Sequence, residues 1–284
     1  AGLNEIFSLG PARSLGSGVF ENVFEVNPGE WIRISPYGLY KETYWRMKAA
    51  PHEDSYKETI EKTSQLVTDA IKKQSIHEGT LGSLLSGGVD SSIVTAVGSK
   101  LISKAGETFK TFSFDYTDNK EYFQSNSFQP SLDRPYVDIM VNALGTKHTY
   151  LECTQETLFE QLKDSVLAHD LPSMADVDSS LLYFCKQVKK DADIVLTGEC
   201  ADEVFGGYPW FHREDLLSID TFPWTPSLKP RSNLLKKDFV DTLNMQDYVQ
   251  NAYHKTLQKI DYLPSEREDA KAKRRNGYLS LYWF

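Results

Sequence analysis

The chain has only three cysteines in 284 residues. None stand in Cys-x-x-Cys spacing, which excludes a zinc-knuckle or disulfide-scaffold reading. Cys153, Cys185 and Cys200 cannot all pair with one another, and that predicts a reducing, cytoplasmic setting. No run approaches the roughly 20 apolar residues of a membrane span and no signal peptide is visible, so no membrane partner is expected. Positive charge is the scarcer sign, with 31 Lys and Arg against 40 Asp and Glu and a formal net charge of -9. With an isoelectric point near 5.2, this argues against nucleic acid as a partner. Hydrophobic content of 40% suffices for one large or two small domains.

Against this plain background one segment stands out. The apolar run Leu81 to Leu85 empties into Ser86-Gly87-Gly88-Val89-Asp90-Ser91-Ser92, and the helical stretch Ile93, Val94, Ala96 and Val97 follows. A buried strand, two glycines and a helix start aim several backbone N–H groups at one point, which suits a phosphate. Ser86, Ser91 and Ser92 add hydroxyl donors without bulk. Asp90 would repel a polyphosphate unless a cation lay between, so it reads as a Mg²⁺ ligand. A glycine turn capped by Asp90 or Ser91 is the plainer alternative. No Gly-Lys-Ser/Thr follows the glycines, so the loop is not that of kinases and GTPases. It resembles the pyrophosphate loop of ATP pyrophosphatases, which cleave ATP between its α and β phosphates. GMP synthetase, argininosuccinate synthetase, tRNA-thiolating enzymes and asparagine synthetase all remain open on this loop alone.

A second segment narrows the choice. Asp193 to Thr197 reads as another buried strand, and Gly198-Glu199-Cys200-Ala201-Asp202-Glu203-Val204-Phe205-Gly206-Gly207-Tyr208 follows. Three carboxylates at 199, 202 and 203 would share one helical face if a helix started at once, and such crowding requires cations or a cationic substrate. The segment resembles the asparagine synthetase signature. The plainer alternative is that these acids cap a helix. Cys200, where glycine or another small residue is common, is expected to act as a space-filler.

The resemblance implies an α/β fold of the ATP-pyrophosphatase (adenine nucleotide alpha hydrolase-like) type, a parallel sheet flanked by helices. It also implies roles. Ser86, Gly87, Gly88, Asp90, Ser91 and Ser92 would hold the β and γ phosphates of ATP, with Asp90 and Asp202 sharing Mg²⁺. Thr197 and Gly198 would line the nucleotide, and Leu85 and Phe114 would flank its adenine. Glu199 would take the proton from attacking ammonia. Glu203 and Tyr208 would contact the aspartate.

Elsewhere the pattern is a βα series. Residues 1–50 are turn-rich, with strand candidates at Val19 to Val26 and Trp31 to Ile34, a small N-terminal hairpin. By resemblance they are the linker and remnant bordering a glutaminase domain, and 51–284 are the synthetase domain. Ser55 to Lys73 forms a helix with Ser55 and Glu58 as a capping box and Ile60, Val67, Ala70 and Ile71 on one face. Strands at Lys110 to Asp115, His148 to Leu151 and Ile194 to Thr197 alternate with helices at Ser91 to Ser103, Tyr136 to Leu144, Leu158 to Ala168 and Ser179 to Lys189. That alternation predicts a parallel sheet covered on both faces. Asp133 is a candidate cap for the helix after the long polar stretch 117–134, and His148 reads as a satisfied strand histidine. Asp176 and Asp178, in a segment similar to one that borders the family's substrate pocket, receive no role. Past Phe211, helices are expected at Tyr248 to Ile260 and Ala270 to Phe284. The apolar end from Leu279 is expected to lie exposed.

Glutamine-dependent members of this family begin with a nucleophilic cysteine, whereas this chain begins with Ala1. They also carry a catalytic lysine beyond position 284. The expectation is therefore a synthetase fragment clipped at both ends, with ammonia supplied by a glutaminase domain of the same polypeptide. ATP and aspartate are the other substrates, and a homodimer is left open. Two alternatives stand: a relative that adenylates another carboxylate, such as a β-lactam-forming or peptide-modifying cyclase, and an inactive nucleotide-binding module.

Overall fold

The computed structural model describes residues 2–126, 129–172 and 174–284, excluding the side chain of Asp176. Of the segments singled out above, Ser127, Phe128, Ser173 and the Asp176 side chain thus lie outside the described residues. The chain divides into two compact units, Glu53–Glu199 and Ala1–His52 with Cys200–Phe284.

Unit Glu53–Glu199 is built on a four-stranded sheet of β3 (Leu81–Leu84), β4 (Lys110–Tyr116), β5 (Lys147–Cys153) and β6 (Ile194–Leu196), in the order β5-β4-β3-β6. Every pairing is parallel, with Leu84 opposite Phe112 and Ser83 opposite Leu196. Period-2 alternation sends neighbouring side chains to opposite faces. On one face Leu81, Phe109 and Leu196 pack with Ile71 and Val67 of α1 (Tyr56–Gln74) and Val94 and Val97 of α2 (Val89–Lys104). On the other, Phe112, Leu84 and Phe114 pack with Phe184 and Val188 of the helix Ala175–Val188. The expected parallel sheet covered on both faces is what the chain forms.

Helix α1 starts at the capping box read from the sequence. Ser55 Oγ accepts from Glu58 N at 3.3 Å, and Glu58 Oε2 accepts from Ser55 N at 2.9 Å. Its inward stripe is Thr63, Val67 and Ile71; Ile60 and Ala70, expected on that stripe, are exposed. The helix α3 (Arg134–Leu144) departs from expectation at its start, because Asp133 adopts helical dihedrals and its side chain makes no capping bond. The other long helices of this unit are α4 (Gln155–His169) and α5 (Ala175–Val188).

In the other unit the hairpin is β1 (Glu30–Ser35) against β2 (Gly38–Thr43), antiparallel, closed by Lys41 on Glu30 at 2.6 Å. Val19 to Val26, expected as a strand, is not one. It runs through bends and a turn with Phe24 exposed, because the left-handed Asn22 interrupts any extended run. This unit also holds the helices α6 (Ala201–Phe205), α7 (Lys237–Leu243), α8 (Met245–Leu257) and α9 (Glu268–Trp283). Its core gathers Leu9, Ala12, Phe222, Val249, Tyr253, Leu279 and Trp283. The expectation that the apolar end lies exposed is therefore overturned for Leu279 and Trp283, and it holds for Leu281 and Phe284.

The N-terminal segment is pinned to this core by charge as well as by packing. Glu5, 1% exposed, accepts from Ser14 N at 2.8 Å and from the Tyr248 hydroxyl, and Arg231 donates to Ser8 O at 2.7 Å. Burial, and then the Glu5 carboxylate, push the Tyr248 hydroxyl up. No helix among the described residues is long and apolar enough to cross a membrane.

Candidate active site

Strand β3 has β4 on one side and β6 on the other, so the sheet order reverses there. In open α/β sheets such a switch leaves a crevice at the carboxyl ends of the strands, where ligands sit. The residues at that place are those singled out by sequence. Leu85, 1% exposed, donates its N–H to Phe112 O at 2.8 Å and accepts from Ser113 Oγ, so both of its backbone groups are engaged in the sheet.

The chain then turns at Gly87, and α2 starts at Val89 with Gly88, not Asp90 or Ser91, at its N-cap. Gly87 has φ +81°, and a Cβ there would stand 2.7 Å from Tyr136 Cβ and 2.9 Å from Val137 N. Only glycine allows the loop to lie against the start of α3. The loop is braced from within. Ser86 Oγ and Ser91 Oγ are 2.9 Å apart, Ser86 N donates to Ser91 Oγ at 3.2 Å, and Ser91 Oγ donates to Gly88 O at 3.3 Å. Ser91 is buried, so its hydroxyl acts as the loop's internal tie more than as an open donor. The first N–H groups of α2 have no intrahelical partner by construction, which makes the loop an anion cradle.

The end of β6 fits against that cradle. A Cβ on Gly198 would lie 2.8 Å from Ser91 N and 3.1 Å from Asp90 Cβ, so the missing side chain lets the two backbones touch. Glu199 is exposed and outside any helix, its N–H taken by Thr197 Oγ1 at 3.2 Å. The expected shared helical face of 199, 202 and 203 does not form, because Cys200 takes a left-handed φ of +67° and α6 begins only at Ala201. Cys200 itself is exposed and fills no core space.

Asp202, Glu203 and Tyr208 belong to the other unit. Gly206 N and Gly207 N both donate to Asp202 O, at 2.9 and 3.0 Å, and a Cβ on Gly207 would collide with Asp202 Oδ1. The double glycine thus folds back over the aspartate. Glu203 is 8% exposed and its Oε1 accepts from Tyr208 Oη at 2.9 Å. Tyr208 stacks on Trp210 with ring centroids 4.3 Å apart. Trp210 in turn donates to Ser280 Oγ at 2.7 Å, and its carbonyl accepts from Asn276 Nδ2 at 2.7 Å. This buried polar tie to α9 carried no sequence signal, since Asn276 and Ser280 lie 66 and 70 residues from Trp210.

Around the sheet crevice, Phe114 packs edge-on against Tyr116 and tilted against Phe184, each at 5.3 Å. Asp133, passed over as a cap, is a carboxyl raised above the usual range by burial, with Gln129 opposing and the nearby Asp115 charge adding to the rise. On the edge strand, His148 Nδ1 shares a 2.8 Å hydrogen bond with Thr111 Oγ1, while Nε2 is buried with no partner among the described residues. The histidine is therefore only half satisfied. Burial brings its pKa down to about 4 against opposing attraction from Asp138.

No group of three or more His, Cys, Asp or Glu side chains among the described residues gathers as a metal cluster. Asp90 and Asp202, one in each unit, are single hard oxygen donors of the type that suits Mg²⁺, which commonly keeps most of its own waters.

A parallel sheet with a glycine loop between a strand and a helix at the switch point is an α/β arrangement of the kind that suits phosphate groups. Residues 62–282 match the family model described as Asparagine synthase. The chain belongs to the asparagine synthase family. It is 42% identical over all 284 residues to Asparagine synthetase [glutamine-hydrolyzing] 3 of Bacillus subtilis (strain 168), of which it spans 46%. It is 29% identical over 211 residues to Asparagine synthetase [glutamine-hydrolyzing] 1 of the same organism, covering 72% of this chain and 30% of that protein. Over 157 residues it is 29% identical to Asparagine synthetase B [glutamine-hydrolyzing] of Escherichia coli (strain K12), covering 52% and 27%. The chain thus spans less than half the length of these relatives.

Proposed function

We propose that the chain is the ATP-dependent synthetase part of a cytoplasmic enzyme that converts aspartate to asparagine through a β-aspartyl-AMP intermediate. The observation that carries the reading is the braced glycine loop at the sheet's switch point, in a chain of this family. A carboxylate is a poor acyl donor because oxide is a poor leaving group. In the first step an oxygen of the aspartate side-chain carboxylate bonds to the α-phosphorus of ATP, and the bond from that phosphorus to the bridging oxygen breaks. Pyrophosphate leaves, held by the 86–92 loop through the open N–H groups at the start of α2. Thr197 and Gly198 line the nucleotide, with Leu85 and Phe114 beside the base. In the second step ammonia attacks the acyl carbon, Glu199 takes a proton from the nitrogen, and AMP departs. Such a base contributes roughly 10²- to 10⁴-fold.

Asp90 and Asp202 would hold Mg²⁺. When bound, it neutralises charge on the departing pyrophosphate. Glu203 and Tyr208 contact the amino acid. In this reading residues 1–50 border a glutaminase domain of the same polypeptide, the source of the ammonia, and 51–284 form the synthetase domain.

The test is exchange of labelled pyrophosphate into ATP, with aspartate and a panel of other carboxylates. Exchange that requires aspartate supports the reading. Exchange with a different carboxylate would move the chain to another adenylating ligase, and nucleotide binding with no exchange would make it a binding module.

A further inference from the structure

We propose that the cavity of about 580 Å³ lined by the short helix Lys229–Ser232 and the junction of α7 with α8 is a binding site for a free amino acid, with Lys229 taking its carboxylate and Asp241 its ammonium group. The site shares no residue with those assigned to the reaction, and the inference stands whether or not the amidation reading does. The cavity lies wholly within one unit. Its volume falls in the range of about 300–1,000 Å³ usual for small-molecule sites. Lys229 and Asp241 are exposed at its rim, while Met245, 3% exposed, gives it a buried apolar wall.

The charges on the walls choose the ligand. Lys229 and Asp241 are the only charged side chains in the lining. Neither makes an ion pair among the described residues, whether with each other or, for Asp241, with Lys237 one turn earlier on α7. A lone anion would meet repulsion from Asp241, and a lone cation would meet it from Lys229. A zwitterion gains both attractions as charge-assisted hydrogen bonds. An α-amino acid carries its two charges at one end, which leaves its side chain for the rest of the lining. That remainder is polar and uncharged. Ser227 Oγ accepts from Lys229 N and Ser232 Oγ donates to Lys229 O, each at 3.2 Å, and each hydroxyl keeps further hydrogen-bonding capacity. Gln246 adds an amide with donors and an acceptor. The side chain that fits is therefore a polar, uncharged one, as in serine, asparagine or glutamine.

The test is calorimetric titration of the full chain with serine, asparagine and glutamine. Each is run beside the same molecule without its amino group and without its carboxylate (for asparagine, succinamate and β-alaninamide). At least one of the three amino acids is expected to bind, with both of its singly charged analogues weaker by roughly tenfold or more, since each forfeits one charged contact. Lys229→Met and Asp241→Asn should each weaken that amino acid by a similar factor. Both side chains are exposed, so the variants should fold as the parent does, which circular dichroism checks. Absence of binding by all three amino acids overturns the proposal. So does an analogue that binds as tightly as its parent amino acid, because one charge would then suffice. Binding that survives either substitution also overturns it, by placing the amino acid elsewhere on the chain.

Discussion

Gly87 shows how much can hang on one absent methyl group. Its positive φ and its 2.7 Å approach to Tyr136 leave no room for a side chain. Gly87→Ala is expected to cost about 1–3 kcal/mol from the backbone strain alone. It should also weaken ATP binding in calorimetry, because the loop would be pushed off α3. Glu199, exposed and free of the helix, offers the opposite case: Glu199→Gln should leave Mg-ATP affinity within twofold while slowing amide formation roughly 10²-fold or more. Equal loss of both would contradict a role as base. His148 gives a pH prediction. Its folded pKa of about 4 lies below the ordinary 6.5, so between those values the unfolded chain binds more protons than the folded one. The stability it contributes is complete above pH 6.5 and lost as pH falls toward 4. In thermal melts across that window, His148→Gln should show a shallower acid decline than the parent; an unchanged slope would mean the ring is more hydrated than its burial implies.

At the scale of elements, local signals and burial part company. The capping box of α1 was legible because it is a contact between residues three apart, and both of its hydrogen bonds form. Ser55→Ala should cost about 1 kcal/mol, visible as a lower denaturation midpoint with an unchanged slope. The inward stripe of the same helix was less legible. Ile60 and Ala70 satisfy a helical period, but the sheet beneath reaches only Val67 and Ile71. Val19 to Val26 has strand-forming residues and no strand to pair with. The start of α6 was displaced by the left-handed Cys200, which leaves Glu199 off the helix that carries Asp202 and Glu203.

At the scale of the whole molecule, each unit carries its own core, and the two respond to different substitutions. Trp283→Ala removes a ring packed on Phe222 at 4.7 Å, and it should cost about 3–5 kcal/mol in its unit. Hydrogen exchange should show protection lost first in 245–257 and 268–283 and retained in 81–84 and 110–116. Simultaneous loss in both would mean that the cores are not separable.

Sequence by itself determined the βα series, the glycine loop and the acidic segment, because these depend on periodicities and spacings of a few residues. It also carried the family resemblance that the matched relatives bear out. Tertiary structure alone decided that Leu279 and Trp283 are core, that Asn276 and Ser280 hold Trp210, and that Glu203 is buried beneath the Tyr208 hydroxyl. Each of these depends on partners brought from distant parts of the chain. Burial is a property of the neighbours a side chain meets, and no local pattern encodes who those neighbours are.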